Sequence, residues 1–225
     1  MILREAGRRR NRGAMTNQVP MLADPVQPTR DAQRHRRRNA LHTLLGMLEL
    51  ARHDRPPFAM DPVHEPLVRA LLVGKTVAAA RLGVHLSLST SSHLRGGMEH
   101  PEDLVTVLGN LIDNAQDAVL AHRPTAMRGR PLIEVDLRER AAVTEVRVTD
   151  NGPGVPPAAR EWIFTEGAST KQREAGHRGL GLAMVSEVLS QRGGSISVAE
   201  RAGGGAEFTA HLPRASARAD AWSQS

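Results

Sequence analysis

The stretch PEDLVTVLGNLIDNAQDAVLA, residues 101–121, is where the fold is decided. It opens on Pro101 with Glu102 and Asp103 behind it, a proline and two acids suited to a helix N-terminus, and the pattern ends before Pro124. Leu104, Leu108, Leu111, Ile112, Ala115 and Val119 recur at helical spacing and predict one apolar face. Asn110, Asp113, Asn114 and Asp117 gather on the opposite face. Asn110 and Asn114 stand one turn apart, so two amide oxygens can point at a single hard cation. Mg²⁺ bound to phosphates takes few protein oxygens and keeps water. The plainer alternative is a solvated polar face, and this helix alone leaves both open.

Working outward, the apolar period changes from helical to alternating. Val84, Leu86 and Leu88 follow Gly83, and Ile133, Val135 and Leu137, then Val146 and Val148, follow the helix. A second helix is predicted from Leu180 to Arg192, closed by Gly193-Gly194, and strands near 195–200 and 206–212 end the unit. Helices and strands mix without regular βαβ alternation, which predicts an α+β sandwich.

The strand ending at Val148 runs into Asp150-Asn151-Gly152-Pro153-Gly154. A carboxylate at a strand end can accept a hydrogen bond from an amino group while two glycines let backbone approach a flat base. A tight turn is the common alternative. Gly176-His177-Arg178-Gly179-Leu180-Gly181 opens the later helix. Glycines there let N–H groups approach phosphate, and the helix dipole favours the anion. Between them, Ile163-Phe164-Thr165-Glu166-Gly167-Ala168-Ser169-Thr170-Lys171 is a polar stretch suited to a lid that carries a cation.

Upstream, Leu41, Leu44, Leu45 and Leu48 form an amphipathic stripe that Pro56-Pro57 stops. After Asp61-Pro62, Leu67, Leu71, Gly74, Ala78 and Leu82 mark a second helix. Two such stripes predict a helical hairpin that cannot bury both alone, so a homodimer pairing two hairpins into a four-helix bundle is expected. At about 100° per residue, His35 lies roughly 130° from the centre of the leucine stripe and projects outward. Asn39 and His42 lie within about 40° of it. The predicted divisions are a flexible basic arm (1–28), the hairpin (29–83), the sandwich (84–214) and a disordered tail (215–225).

Composition narrows the chemistry. The 225 residues are 40% hydrophobic, 24% charged and only 2% aromatic, so the core is built from Leu, Val, Ile and Ala. There is no cysteine, which excludes disulfides, thiolate metal sites and a cysteine nucleophile, and fits a reducing compartment. The net charge of +6 rests on arginine, Lys75 and Lys171 being the only lysines. That excess gathers in Arg8-Arg9-Arg10 and Arg36-Arg37-Arg38, while acids are plentiful elsewhere, so nucleic acid is not an expected partner. No apolar run approaches the ~18 residues of a membrane span, and no signal core follows Met1.

The order of the motifs over 84–213 resembles the ATP-binding domain of the histidine kinase, gyrase, Hsp90 and MutL superfamily. The resemblance implies that ATP and Mg²⁺ bind, with Asn114 holding the metal helped by Asn110, and with Asp117 in the nucleotide-binding set. It further implies Asp150 on the adenine amino group, Gly152 and Gly154 along the base pocket, and Thr170, Lys171, Gly179, Leu180 and Gly181 toward the phosphates. ATPases of the superfamily carry a water-activating glutamate where Asn110 stands. An amide cannot take a proton, which points to phosphotransfer rather than hydrolysis.

The segment His35-Arg36-Arg37-Arg38-Asn39-Ala40-Leu41-His42-Thr43-Leu44-Leu45-Gly46 is similar to the phosphoacceptor segment of citrate/C4-dicarboxylate (CitA/DcuS-like) sensor kinases, and the Leu71-Leu72-Val73-Gly74-Lys75 run is similar too. The resemblance implies the core of a two-component sensor histidine kinase, dimeric through 29–83, with His35 and Asn39 as its catalytic pair. Neutral His35 would attack the γ-phosphorus of Mg·ATP, and the phosphoryl group would pass to an aspartate of a response regulator receiver domain. The location implied is cytoplasmic, as a soluble kinase or as the cytoplasmic part of a longer membrane receptor. Arg36 departs from the family's acidic residue and Arg37 from its aromatic one. A guanidinium at Arg36 is expected to lower the His35 pKa but cannot accept its proton. Transfer that is slow or redirected, with ATP binding intact, is therefore the expectation. The alternatives are an ATP-binding pseudokinase scaffold and an anti-sigma-type serine kinase, although the latter lacks a histidine-bearing hairpin.

Overall fold

The computed structural model describes residues 30–52, 62–121, 129–140, 142–165 and 180–214. The predicted arm and tail, Pro56-Pro57, Pro124 and the segment holding Thr170, Lys171 and Gly179 lie outside the described residues. Helices α1 (Arg30–Arg52), α2 (Pro66–Arg81), α3 (Pro101–Ala121) and α4 (Leu180–Arg192) accompany strands β1 (His85–Leu88), β2 (Leu132–Glu139), β3 (Val143–Asp150), β4 (Ser195–Glu200) and β5 (Ala206–Pro213). The five strands form one sheet in the order β1-β2-β3-β5-β4. Only β1 and β2 pair in parallel, through the crossover helix α3; the other pairs are antiparallel. The class is α+β, with helices layered on one face of a mixed sheet.

Alternation along the strands puts the core on that face. Thr144, Val146, Val148 and Asp150 of β3 and Ala206, Phe208, Ala210 and Leu212 of β5 point inward. On the other face Arg147 pairs with Glu145 at 3.4 Å and with Glu207 at 3.9 Å. The strand β3 runs two residues beyond the expected end at Val148, pairing Asp150 with Ile133, so the carboxylate belongs to the sheet rather than to a turn after it. At the far end of α4, Arg192 donates to Asp103 in the first turn of α3 at 2.6 Å, fixing the two helices side by side.

The hairpin departs from expectation in which faces it buries. Gly46 and Gly74 bring α1 and α2 into backbone contact. A Cβ on Gly46 would lie 1.7 Å from the Ala70 carbonyl oxygen, and one on Gly74 would lie 1.8 Å from that of His42. Since Gly46 meets Ala70 while His42 meets Gly74, the helices run antiparallel. Bulky leucines would hold these backbones apart, so the small face turns inward and Asn39, Thr43 and Gly46 are buried. Leu41, Leu44, Met47 and Leu48 are left exposed, Leu41 at 65% and Leu44 at 62%.

Helix α2 does not wait for a second copy to cover it. Val68, Leu71, Leu72 and Val73 join one core with Leu104, Leu108 and Ile112 of α3 and with the sheet. The chain ahead of α2 is laced to the segment after β1, with His64 N–H donating to the Leu94 carbonyl and Leu94 N–H to that of Pro62, both at 2.8 Å. The α1 stripe remains outside, as do Leu82 and Trp162. The substitution Gly46→Ala is expected to lower stability by about 1–3 kcal/mol through overpacking, read as a reduced urea midpoint; an unchanged midpoint would show that the helices separate at no cost.

Candidate functional site

Helix α3 carries the polar side chains expected of it, but they are not solvated. Asn110 and Asp113 are buried beneath α1 and α2. The Asn110 side-chain amide donates to the Thr106 carbonyl at 2.7 Å, and its Oδ1 is buried without a hydrogen-bond partner among the described residues. One turn on, Asn114 is half-buried, as is Asp117. Asn39 of α1 lies flat over Gly109 of α3, where a Cβ would come within 2.4 Å of the Asn39 amide.

Asp113 is the centre of a buried ionic group. Lys75 of α2, only 1% exposed, donates to its Oδ1 at 2.7 Å, and Arg38 of α1 lies 2.8 Å from its Oδ2. Burial pushes the Lys75 pKa down to about 8, with the Asp113 charge opposing the shift. The same Arg38 nitrogen reaches His35 Nδ1 at 3.2 Å. His35 is half-buried and its pKa is lowered first by burial and then by Arg38, with Asp113 and Asp117 pulling the other way. The sequence-based expectation assigns this lowering to Arg36, which is exposed, and turns His35 away from the leucine stripe to where a separate domain could reach it. His35 meets α4: a Cβ on Gly181 would lie 3.3 Å from Asn110 Oδ1 and 3.6 Å from His35 Cε1.

At the other end of the layer Asp150 closes β3. Its Oδ1 accepts from the N–H groups of Gly152 at 2.8 Å and Ala206 at 3.4 Å, while its Oδ2 is buried with no hydrogen-bond partner among the described residues. Burial raises its pKa, with the two backbone donors and then Arg201 opposing. Gly154 has φ +79° and passes the Gly205 carbonyl, which a Cβ would meet at 3.1 Å. Gly152 sits against Ala118 of α3. Of the lid, Ile163 is buried and Phe164 packs edge-on against Phe208, with ring centroids 6.3 Å apart. Leu180 is buried where α4 begins.

The structure thus brings together His35, Asn39, Asn110 and Gly181 at the middle of α3 and sets Asp150, Gly152 and Gly154 toward its C-terminal end. Sequence reasoning missed Arg38, Lys75, Gly109 and Gly205. Lys75 left a signal, being a lysine set inside an apolar helical run in a chain with two lysines. A separate cleft of about 530 Å³, lined by Arg130, Arg201, His85 and Asn151, includes none of the expected site residues.

An α+β layer with one unpartnered oxygen on a buried strand-end carboxylate and an unpartnered amide oxygen on the covering helix, among the described residues, has the character of a nucleotide-binding unit. The family model for histidine kinase-, DNA gyrase B- and HSP90-like ATPases matches residues 99–216, just over half of the chain, and the chain belongs to that family. It is similar to the sensor protein CitS of Halalkalibacterium halodurans, at 35% identity over 204 residues, covering 83% of this chain and 37% of that one. The sensor histidine kinase DcuS of Escherichia coli is 32% identical over 196 residues, covering 80% and 34%. The chain spans about a third of the length of these curated relatives. Among solved structures, full-length ShkA in complex with AMPPNP aligns with a TM-score of 0.55 at 25% identity, over 84% of this chain and 40% of that one. The nucleotide-free catalytic domain of histidine kinase ThkA aligns at 0.51 and 22% identity, over 65% and 94%, a likeness of fold. No helix among the described residues is long and apolar enough to cross a membrane.

His42 supplies a pH signature of this packing. Burial and the Lys75 charge push its pKa down to about 4, against the pull of Asp113. The unfolded imidazole takes its proton near pH ~6.5, so between the two values the unfolded state binds more protons. This stabilising contribution is complete above pH ~6.5 and is lost as pH falls toward the folded value. Urea midpoints measured from neutral to acid pH are expected to fall less steeply in His42→Gln than in the parent; parallel curves would contradict the assignment.

Proposed function

We propose that the chain is the dimerising and catalytic core of a two-component sensor histidine kinase. In this reading it binds Mg·ATP, phosphorylates itself on His35 and passes the phosphoryl group to an aspartate of a response regulator receiver domain. The observation that carries it is the convergence of His35 with Asn110 and Gly181, an imidazole set against the helix start and the asparagine assigned to the nucleotide. The names of the sensor-kinase relatives, whose matches reach beyond the family model's residues, favour the same reading.

The residues present fit the nucleotide and metal. The unpaired Asn110 Oδ1 is a neutral oxygen of the kind a hard cation or its water takes, and Asn114 offers a second one turn on. The unpaired Asp150 Oδ2 suits an adenine amino donor, with Gly152 and Gly154 giving the base room. Thr170, Lys171, Gly179, Leu180 and Gly181 are assigned to the phosphates, and Asp117 to the same nucleotide set. When bound, Mg·ATP supplies an electrophilic γ-phosphorus with its charge partly neutralised. Burial and the nearby guanidinium keep the His35 ring neutral rather than an imidazolium, the form that an attack on phosphorus requires. Asn110, being an amide, activates no water. Asn39 holds α1 against α3 beside the reacting ring.

The exposed row Leu41, Leu44, Met47 and Leu48 fits a homodimer through the hairpin, and a cytoplasmic location follows from ATP and regulator as substrates. With γ-labelled ATP, the protein is expected to take acid-labile, base-stable label that His35→Gln abolishes. Asp150→Asn is expected to weaken ATP binding about ten- to a hundredfold by calorimetry, the factor for one hydrogen bond to a charged group. Nucleotide binding without label would instead favour a pseudokinase scaffold, and acid-stable label on a partner a serine kinase. On Leu44→Glu, sedimentation is expected to report monomers, and an unaltered dimer would move the interface elsewhere.

A further inference from the structure

Resting on the kinase reading, we infer that Arg38 is a positioning residue that holds His35 in a tautomer unable to attack, so that the docked arrangement is restrained. An imidazole nitrogen bonded to a guanidinium must be the acceptor, because arginine has no lone pair to offer and stays charged. Arg38 Nη2 lies 3.2 Å from His35 Nδ1, so Nδ1 carries the lone pair and that lone pair is engaged. Burial and the cations of Arg38 and Lys75 keep the ring neutral, which puts its one proton on Nε2. One nitrogen is therefore capped and the other protonated. Neither is a nucleophile while the contact lasts.

Arg38 is not loosely placed. The same nitrogen lies 2.8 Å from Asp113 Oδ2, and Asp113 is itself held by buried Lys75 at 2.7 Å. Around the ring stand Arg38 on its own helix, Asp113, Asp117 and Asn110 on α3, Lys75 on α2 and Gly181 on α4. Both carboxylate oxygens of Asp113 are taken, one by Lys75 and one by Arg38, so Asp113 does not draw the ring away from the Arg38 contact. Once Arg38 swings away, a ring nitrogen with an available lone pair can form the N–P bond as the bond from the γ-phosphorus to the bridging oxygen breaks. ADP leaves with that electron pair, and the ring proton is lost to water.

The test uses the parent chain, Arg38→Met and Arg38→Lys. The methionine keeps the aliphatic stem without a donor, and the lysine keeps a charged donor. In ¹⁵N spectra of the neutral ring, assigned by the signal missing in His35→Gln, the parent is expected to show unprotonated Nδ1 and protonated Nε2. Arg38→Met is expected to show both tautomers and an initial rate of autophosphorylation about ten- to a hundredfold higher, the factor for one charge-assisted hydrogen bond. Arg38→Lys is expected to stay near the parent in both measurements. A protonated Nδ1 in the parent overturns the inference. So does Arg38→Met that binds nucleotide and labels no faster. If the spectra follow expectation and yet no form takes label, the kinase reading falls, and the restraint with it, while the tautomer assignment stands.

Discussion

A single carboxylate ties the two halves of this chain together. Asp113 sits on α3, out of water, and accepts Lys75 from α2 and Arg38 from α1. Burying the Lys75 and Asp113 charges costs more than their attraction returns unless the geometry is tight, and removing the sealed lysine leaves a carboxylate short of its buried counter-charge. Lys75 therefore cannot leave without exposing or stranding Asp113, and α2 stays locked to α3. The shared core of Val68, Leu71 and Leu72 with Leu104 and Leu108 does the rest. Everything that places His35 near the start of α4 follows from this junction, because α1 is carried on α2 by the Gly46–Gly74 contact.

The elements were plain in the sequence because their signals are local. Pro101 and the acids behind it start α3, Gly193 closes α4 in a left-handed turn at φ +71°, and alternation marks β3 and β5. Burial of polar residues was not plain. Asn110 and Asp113 lie where helical periodicity puts water, and partners 38 and 75 residues before Asp113 in the chain, Lys75 and Arg38, turn that face into an interior. Periodicity likewise marks the leucines of α1 as its packing face. Inside one chain it is the glycine face that packs, because backbone contact needs small residues and the leucines have none to offer.

The middle of α3 and its C-terminal end answer different chemical needs. Near Asp150 the sheet supplies two backbone donors to one carboxylate oxygen and leaves the other oxygen bare. Such an atom is costly to bury and is best explained by a ligand donor. Near Asn110 the bare oxygen is neutral, and the cations Arg38 and Lys75 stand there beside the acids Asp113 and Asp117. A neutral oxygen there adds no further negative charge to the region that the proposed function assigns to phosphate. Both features were legible as residue types in motifs. That they are buried and unpaired was visible only in three dimensions.

Helix α1 has two working faces, and their separation decides how the pieces can move. The leucine row points away from the chain, while His35 and Arg38 point toward α3 and α4. A second copy covering the leucines would not compete with the His35–Gly181 approach, so pairing and docking are mechanically independent. The docked face is also unequal in strength. Lys75 is sealed in the core, whereas the Arg38 side chain keeps 35% of its surface in water and gives up less when it departs. Parting Arg38 from Asp113 leaves that carboxylate still paired with Lys75, so no charge is stranded. The junction can therefore loosen at α1 while α2, α3 and the sheet stay closed, and the ring of His35 lies at the place where it loosens first.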